Sequence, residues 1–289
     1  MLVNSVYLSL AILLISMCKQ GQTATIMGST MTDFFPEVYG NVSLVTWAHA
    51  VNNQAYLTKT LADGRIMMIE ADISEGIESN SSDKLIPIMA HPPNRESDLS
   101  LESFLEQITN QPKSTIRQGV KLDFKSLAAL EMSIGIINYY NKETFPLWIN
   151  ADILPGPINS TVKPVNPYRF LELSKKLGNV VLSLGWTTHY GPGMVGKYKD
   201  TDIETMLHVI NSNNILNEIS FPVRAGLAAE SLDELLRLLK TVKHSTLTLW
   251  SHENDNVNVS KLNNVIKEIG CDRIYIDVPE SLRKQLITS

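Results

Sequence analysis

The stretch Ile66-Met67-Met68-Ile69-Glu70-Ala71-Asp72-Ile73 decides the fold. Its apolar run predicts a strand that is buried on both faces, as strands are in parallel sheets covered by helices. Glu70 and Asp72 stand two residues apart, so they lie on one face of this strand, because side chains alternate along a strand with period two. Polar loop starts do not explain carboxylates inside an apolar run, so these two residues indicate a functional site.

Seven further runs of the same kind follow or precede this one, and stretches with helical periodicity separate them, such as Leu101–Ile108 and Leu232–Leu239. Ser100 and Asn166 are predicted N-caps. Eight strand–helix units over residues 40–289 predict an α/β fold, a single (β/α)₈ TIM barrel. An open doubly wound sheet is the alternative, but the glycine-rich turn that often marks one is missing after the first strand. The eight predicted strands are Ser43–His49, Ile66–Ile73, Val120–Lys125, Leu147–Ile153, Val180–Trp186, Glu218–Val223, Thr246–Ser251 and Arg273–Val278.

One unit is irregular. Between Asp72 and the helix near Leu99 lies the segment Ser74–Pro93, which contains a second apolar run. We expect a hairpin on the C-terminal face of the barrel that brings His91 back over its opening.

Polar residues stand at the C-terminal ends of nearly all the predicted strands, where the reacting groups of TIM barrels lie. The alternative is that loops begin with polar residues in any barrel, which explains Asn150 and Thr187 well. The residues are His49, Glu70, Asp72, Asp123, Lys125, Asn150, Asp152, Trp186, Thr187, Arg224, Trp250, His252 and Asp277.

Glu70, Asp72 and Asp123 are predicted metal ligands. Three convergent carboxylates in an apolar setting repel one another unless a cation neutralises them. Oxygen ligands of this kind suit one hard divalent ion, with Mg²⁺ favoured over Ca²⁺. Zinc is disfavoured because no cysteine or paired histidine accompanies the carboxylates. The alternative is an internal ion pair of Lys125 with Asp123 or Glu70.

His49, His91 and Lys125 are predicted catalytic residues. Two imidazoles that flank a phosphate serve as base and acid because their pKa lies near neutrality. Lys125 would hold a phosphate oxygen as a point charge. The alternative for either histidine is a satisfied core group.

Composition and motifs indicate which compartment and which partners to expect. The net charge is −5 and no long basic tract occurs, which excludes nucleic acid as an expected partner. Residues 1–24 resemble a signal peptide, with a retained signal anchor as the alternative, so a secreted protein without a transmembrane segment and with a domain over residues 25–289 is expected. Cys18 leaves with that peptide and Cys271 then stands alone, as a buried, inert thiol. Four sequons predict glycans, at Asn41, Asn80, Asn159 and Asn258.

The motifs resemble the glycerophosphodiester phosphodiesterase superfamily, and within it the branch of the spider-venom sphingomyelinase D-like phospholipases. That branch has His-x-Val-Asn, Glu-x-Asp, a second His and Asp-Leu-Lys. Over residues 40–289 the chain is identified as a member of the menorin family within this superfamily. The matching segments are His49-Ala50-Val51-Asn52, Glu70-Ala71-Asp72, Ile88–Pro93 with His91, Gly119–Lys125, Leu147–Pro157 and Leu182–Thr188.

The resemblance implies a PLC-like phosphodiesterase barrel in which the metal and catalytic roles fall on the six residues above. Two departures stand out. The Arg-Gly of the glycerophosphodiesterase His-Arg-Gly motif is Ala50-Val51 here, and Arg95 or Arg224 is a candidate for the missing cation. No disulfide staples the loop after His91. The expected substrate-binding residues are Asn52, Arg95, Asp152, Trp186, Arg224, Trp250 and Asp277.

Two functions follow. The first is a secreted, metal-dependent phosphodiesterase or phospholipase D-like enzyme that acts on a phosphodiester or a lysophospholipid. The second is a non-catalytic binding module, because menorin proteins are associated with neurite patterning through cell-surface proteins.

Overall fold

The fold is a sheet of parallel strands bent into a nearly closed barrel. The computed structural model describes residues 31–79, 84–111, 118–141 and 145–288. Within these ranges the strands are β1 (Trp47–Ala48), β2 (Met68–Glu78), β3 (Ile86–Met89), β4 (Glu96–Ser97), β5 (Gly119–Phe124), β6 (Leu147–Pro155), β7 (Val181–Thr187), β8 (Ile219–Arg224), β9 (Thr246–Trp250) and β10 (Ile274–Asp277). Eight of them are joined in the order β1-β2-β5-β6-β7-β8-β9-β10, each parallel to the next, and β3 and β4 pair with β2 outside that path. The predicted (β/α)₈ barrel is confirmed.

Helices connect the strands on the outside of the barrel. The predicted caps are present: Ser100 accepts from the backbone N–H of Ser103 and Asn166 from that of Arg169, so both satisfy a free donor of a first helical turn. No described helix combines the length and the apolar character needed to cross a membrane. The helices are α1 (Met31–Phe34), α2 (Gln54–Ala62), α3 (Leu101–Thr109), α4 (Leu127–Tyr140), α5 (Pro167–Ser174), α6 (Asp200–Ser212), α7 (Ala225–Ala228), α8 (Leu232–Thr241), α9 (Val259–Ile269) and α10 (Glu280–Arg283).

The barrel closes at a seam between β1 and β10, where side chains replace a strand ladder. The guanidinium of Arg283 donates to the backbone carbonyls of Ile276, at 2.6 Å, and of Ser43, at 2.9 Å. The ring of Trp47 meets the ring of Tyr275 edge to face, with centroids 6.1 Å apart. These contacts explain why the first strand is shorter than predicted. Residues 42–44 form a 3₁₀ turn whose polar backbone groups bond to Cys271 and Arg283 instead of a strand.

The apolar core has two parts. One lies between the outer face of the sheet and the helices, and includes Ile69, Leu122 and Ile149. The other closes the N-terminal end of the barrel, where Phe35 and Val38 pack with Met68, Trp148 and Tyr275 and the first described residues thereby become part of the domain.

Strand β2 is longer than predicted because it continues above the barrel. It runs to Glu78 and pairs with β3 in antiparallel fashion, with Ile73 opposite Met89 and Gly76 opposite Ile86. This is the hairpin expected over Ser74–Pro93. The chain leaves β3 at Ala90 and so places His91 directly after the hairpin, at the C-terminal end of the barrel, which we call the mouth.

Candidate active site

Three carboxylates converge at the mouth. Glu70 and Asp72 lie on β2, and Asp123 lies on β5 opposite Asp72. One oxygen from each of the three lies within 4.8 Å of the others. Glu70 and Asp72 are buried, with 2% and 5% of their surface exposed. The period-two spacing within β2 and the pairing of neighbouring strands therefore bring together the predicted metal ligands.

Neighbouring amides hold each of these carboxylates in place. The backbone N–H of Ala50 donates to Glu70 at 2.7 Å, from a left-handed backbone conformation with φ of 54°. The Asn52 amide donates to Asp72 at 2.7 Å and accepts from its backbone N–H at 2.9 Å. Asn150 donates to Asp123 at 2.6 Å. Asn52, expected to bind substrate, thus holds the carboxylate of Asp72 in place.

Lys125 forms ion pairs with two of the carboxylates. Its Nζ lies 2.7 Å from an oxygen of Asp72 and 2.5 Å from an oxygen of Asp123. Burial opposes its charge, but Asp123 and Asp72 outweigh burial and raise the pKa of Lys125. Burial likewise opposes ionisation of Asp123, but Lys125 and Lys121 outweigh it and lower its pKa. The ion pair of Lys125 with Asp123, expected as the alternative to a metal, is therefore present.

His49 is the best-anchored imidazole of the mouth. Its Nδ1 lies 2.9 Å from the carboxylate of Asp277 and 3.5 Å from that of Glu70. Burial opposes protonation of the ring, but the charges of Glu70 and Asp277 outweigh it and raise the pKa of His49 to about 10. Asp277, expected to bind substrate, is instead 5% exposed and orients His49.

The charges of the mouth leave an excess of acid. Five carboxylates face two lysines and one imidazole, so full ionisation leaves two negative charges. Burial raises the pKa of Glu70 to about 7, and although the charge of His49 opposes this rise, the charge of Asp72 adds to it. Burial, then the charge of Asp123, raises the pKa of Asp152 to about 7. The groups are Glu70, Asp72, Asp123, Asp152, Asp277, His49, Lys121 and Lys125.

The donor set fits a hard divalent cation. The three converging atoms are all oxygens, the ligand type of Mg²⁺ and Ca²⁺. Among the described residues, the side-chain oxygen of Asn150 has no hydrogen-bond partner; it is buried beside the amide nitrogen that bonds Asp123. A divalent ion would neutralise the two excess negative charges. The unbonded oxygen of Asn150 lies beside Asp123, one of the predicted ligands of that ion.

His91 and Arg95 lie on the segment after β3. Both side chains are exposed. Nδ1 of His91 donates to the carbonyl of Pro92 at 2.7 Å, which leaves Nε2 for other partners. Arg95 and Lys125 line one small cavity of about 290 Å³. Arg95 therefore lies near the lysine that binds two of the acidic residues.

Arg224 is committed to the protein. It is 5% exposed, donates through two nitrogens to Asp255 at 2.8 Å, and lies over the ring of Trp250 at 4.7 Å. Its Nη2 also lies 3.1 Å from Nδ1 of His252. Of the two arginines considered as a replacement cation, Arg95 is the accessible one.

Trp186 lies in the core and not at the mouth, which corrects its expected role in substrate binding. It is 1% exposed, packs against Tyr198 and Phe221, and donates its indole N–H to the carbonyl of Asp202. Its position at a strand end is misleading, because a large aromatic side chain can either line a pocket or fill the space between sheet and helix.

Asp152 faces the mouth from β6 beside Gly185 of β7. A Cβ at Gly185 would lie 2.3 Å from its carboxylate oxygen, so only glycine leaves room for the carboxylate here. No hydrogen bond to this carboxylate occurs within the described residues. Asp152 thus remains a candidate for binding substrate.

The sequons differ in their surroundings. Asn159 and Asn258 are exposed. The amide of Asn41 donates to the carbonyl of Thr288 at 2.7 Å and its oxygen accepts from Ser43. Asn80 and the expected signal peptide, residues 1–24, lie outside the described residues. Cys271, expected to be buried, is half-buried and forms no disulfide within the described residues.

Two residues of the site carry no strong sequence signal. Lys121 is 4% exposed and acts electrostatically on Asp123, Glu70 and His49. Its place two residues before Asp123 on β5 is the signal that could have identified it. Asp255 lies in the loop after β9, and no periodicity predicts its contact with Arg224.

Comparison with known proteins now places the chain. The family model described as the Menorin N-terminal domain matches residues 41–283. The chain belongs to the menorin family. The human protein FAM151B is 36% identical to it over 239 residues, which are 82% of this chain and 83% of the human protein.

Two solved structures resemble this menorin family member remotely. One is a calcium-dependent phosphoinositol-specific phospholipase C from a Pseudomonas species, with a TM-score of 0.43 and 10% identity over 83% of this chain and 91% of that one. The other is the GH53 catalytic domain of Ignisphaera aggregans, with a TM-score of 0.40 and 11% identity over 89% and 86%. The family assignment depends on the sequence matches alone.

Proposed function

We propose that this menorin family member cleaves a phosphodiester at the barrel mouth with the help of one divalent cation. The observation that carries the proposal is the convergence of Glu70, Asp72 and Asp123 within 4.8 Å, beside Lys125 and an imidazole anchored by Asp277. A scaffold has no use for buried carboxylates in excess of their cations, since each costs desolvation energy. A phosphate-binding metal site does.

Glu70, Asp72 and Asp123 are the proposed ligands of the cation. When bound, the cation would place positive charge beside the phosphate oxygens and would stabilise the negative charge that develops in the transition state. Mg²⁺ remains our first choice and Ca²⁺ our second. Lys125 orients one phosphate oxygen, because its ammonium lies between two of the ligands and its carboxylate partners keep it protonated.

His49 and His91 move the protons. One imidazole removes a proton from the attacking hydroxyl, of water or of the substrate itself, and the other returns a proton to the leaving alkoxide. In His49, Asp277 fixes Nδ1 and thereby turns Nε2 to the reacting groups. In His91, the carbonyl of Pro92 does the same from the hairpin side.

The space beside the cluster sets the substrate class. A cavity of about 780 Å³ includes His49, Tyr56 and Asp277 in its lining. That volume is within the range of small-molecule sites and is too large for a phosphate alone. A phosphodiester with a sizeable group on one side, such as a glycerophosphodiester or lysophospholipid, suits it. Arg95 lines the separate cavity of about 290 Å³ beside Lys125, and Asp152 and Trp250 line neither cavity. These three residues are the proposed contacts for the parts of the substrate outside the larger cavity.

The compartment is part of the proposal. Removal of residues 1–24 as a signal peptide, followed by secretion, leaves the domain of residues 25–289 outside the cell. Exposed Asn159 and Asn258 then carry glycans.

The test is a screen of protein collected from culture medium against glycerophosphodiesters, lysophospholipids and sphingomyelin, with and without a chelator. We expect turnover of at least one class that the chelator abolishes. His49→Ala is the inactive control, and His208→Gln, an exposed change on α6, is the matched control that keeps activity. Metal-dependent turnover by His49→Ala equal to that of the wild type would contradict the proposal. If the His49→Ala, His91→Ala pair rescues loss of the protein in animals, the binding-module function is favoured.

A further inference from the structure

A third histidine lines the cavity that contains His49. His252 follows β9, Asp277 ends β10 and His49 follows β1, and these three strands are neighbours in the order β9, β10, β1. His49, Asp277 and His252 all contribute to the lining of the 780 Å³ cavity, with Asp277 between the two imidazoles in strand order. The side chain of His252 is exposed toward solvent, so a ligand in this cavity has access to it.

The protein holds His252 from behind by charged groups. Nδ1 accepts a hydrogen bond from Nη2 of Arg224 at 3.1 Å, and the backbone N–H of His252 donates to Asp255 at 3.1 Å. Arg224 and Asp255 are themselves joined by two hydrogen bonds of 2.8 Å and their side chains are 6% and 2% exposed. Trp250 packs against both the guanidinium and the imidazole. The buried pair of Arg224 and Asp255, joined by two hydrogen bonds, therefore holds the accessible ring of His252 in place.

This geometry selects one protonation state of the ring. A guanidinium only donates, so Nδ1 of His252 has to accept and cannot carry a proton while the bond lasts. The remaining proton then sits on Nε2, and the ring is neutral. Burial, followed by the charge of Arg224, also lowers the pKa of His252. Nε2–H has no partner within the described residues.

We propose that His252 is a third imidazole of the site, which binds a phosphate oxygen of the substrate through Nε2–H as a neutral donor. Arg224 and Asp255 are positioning residues, which act only through the ring. This inference rests on the proposed function, because the phosphate is the ligand that the proposed cation and Lys125 would bind there. His252 transfers no proton, which distinguishes its role from those of His49 and His91.

A structural role alone would not explain this arrangement. The Arg224–Asp255 pair is complete without the ring, since both guanidinium bonds to the carboxylate exist already. Arg224 also reaches the faces of Trp250 and Tyr190, so it has ample packing. What the additional bond to Nδ1 accomplishes is to fix the ring of an exposed residue that lines the cavity.

The first experiment reads the ring directly. In protein labelled with ¹⁵N on histidine, we expect His252 at pH 7 to show an acceptor Nδ1 and a protonated Nε2. Titration with inorganic phosphate in the presence of Mg²⁺ should shift its Nε2–H resonance, and should not shift that of His208 on α6. A protonated or Nδ1–H ring at pH 7 overturns the inference.

The second experiment measures phosphate affinity in three variants. His252→Ala should weaken inorganic phosphate binding about tenfold, the value of one hydrogen bond to a charged group. His252→Gln, whose amide N–H lies at a similar reach, should restore most of it, and His208→Gln should change nothing. Both positions are exposed, so folding is not at risk.

The outcomes separate this inference from the proposed function. If the wild type binds phosphate, Lys125→Ala weakens binding and His252→Ala leaves the dissociation constant within twofold, the role of His252 is wrong and the proposed function stands. If neither the wild type nor any variant binds phosphate, the proposed function is wrong. Loss of binding in His252→Ala with recovery in His252→Gln supports both.

Discussion

His49 and Asp277 join the first and the last strand of the barrel. Nδ1 of His49 lies 2.9 Å from the carboxylate of Asp277, across the seam between β1 and β10 that is otherwise closed by Arg283 and an aromatic contact. The same bond orients the proposed acid–base group and fastens the barrel at its mouth. Catalytic geometry and closure of the sheet are therefore coupled at this pair.

Asp277→Ala should cost both stability and turnover. The change leaves His49 without its main partner, and a hydrogen bond to a charged group contributes about 1.5–3 kcal/mol to the free energy of unfolding. His49 is 42% exposed in its side chain, so solvent screens the loss and a value near the lower end is expected. Urea denaturation measures it. Glu253→Gln, an exposed change on the same rim, is the control, and equal stabilities for the two variants would refute a fastening role.

Metal binding should raise the melting temperature. A ligand at one hundred times its dissociation constant adds about 2.7 kcal/mol to stability, which for a chain of this length corresponds to a rise of about 5–10 °C. Mg²⁺ or Ca²⁺ should produce this rise in the wild type and a chelator should reverse it. Asp72→Asn combined with Asp123→Asn should abolish it, whereas Glu102→Gln on the outer face of α3 should not. A rise that persists in the double variant places the ion elsewhere.

The fold and most of the mouth follow from local pattern alone. The spacing of Glu70 and Asp72 fixes their common face, and burial of their strand fixes its parallel partners, so their approach to Asp123 is predictable. Contacts between loops are not predictable in this way. Asp255 meets Arg224 only because the loop after β9 folds back over β8, which no periodicity encodes. For the same reason Trp186 is misassigned, since a strand-end position does not tell which side of the sheet an indole enters.

His49→Ala and His91→Ala should each lower turnover by at least about 10²-fold, the usual effect of losing a general acid or base. Lys125→Ala should weaken substrate binding as well, because its charge is present in the ground state and the transition state alike. Steady-state kinetics on the substrate class found in the screen separate the two effects into kcat and KM. Unchanged kcat in His91→Ala would remove that exposed residue from the mechanism and leave His49 in place.

The free energy of unfolding should decrease as the pH falls below 6.5, in part because of His252. Burial and Arg224 hold its pKa in the folded state below that of the unfolded chain, which is near 6.5. As the pH falls below 6.5, the unfolded chain takes up a proton that the folded protein does not, so the free energy of unfolding decreases until the folded pKa is passed. His252→Gln should make this slope shallower, and His208→Gln should leave it as it is. Denaturation curves at a series of pH values measure both.

Gly185 should be irreplaceable because of Asp152, and a double-variant cycle tests this. An added Cβ at Gly185 would lie 2.3 Å from the Asp152 carboxylate and 3.1 Å from Pro222. Gly185→Ala should therefore lower the free energy of unfolding by about 1–3 kcal/mol, as overpacking in a core does. Gly135→Ala is the matched control, because nothing lies within 4 Å of a Cβ there and the helical position gains about 0.5–1 kcal/mol.

The cycle is completed by Asp152→Ala alone and together with Gly185→Ala. Removing the carboxylate opens the space that the new methyl group requires, so the double variant should be more stable than the sum of the single changes predicts, by at least about 0.5 kcal/mol. Strict additivity would mean that Pro222, the second-nearest neighbour of the methyl group, causes the clash. In that case Gly185 serves the packing of β7 against β8, and the position of Asp152 at the mouth does not depend on it.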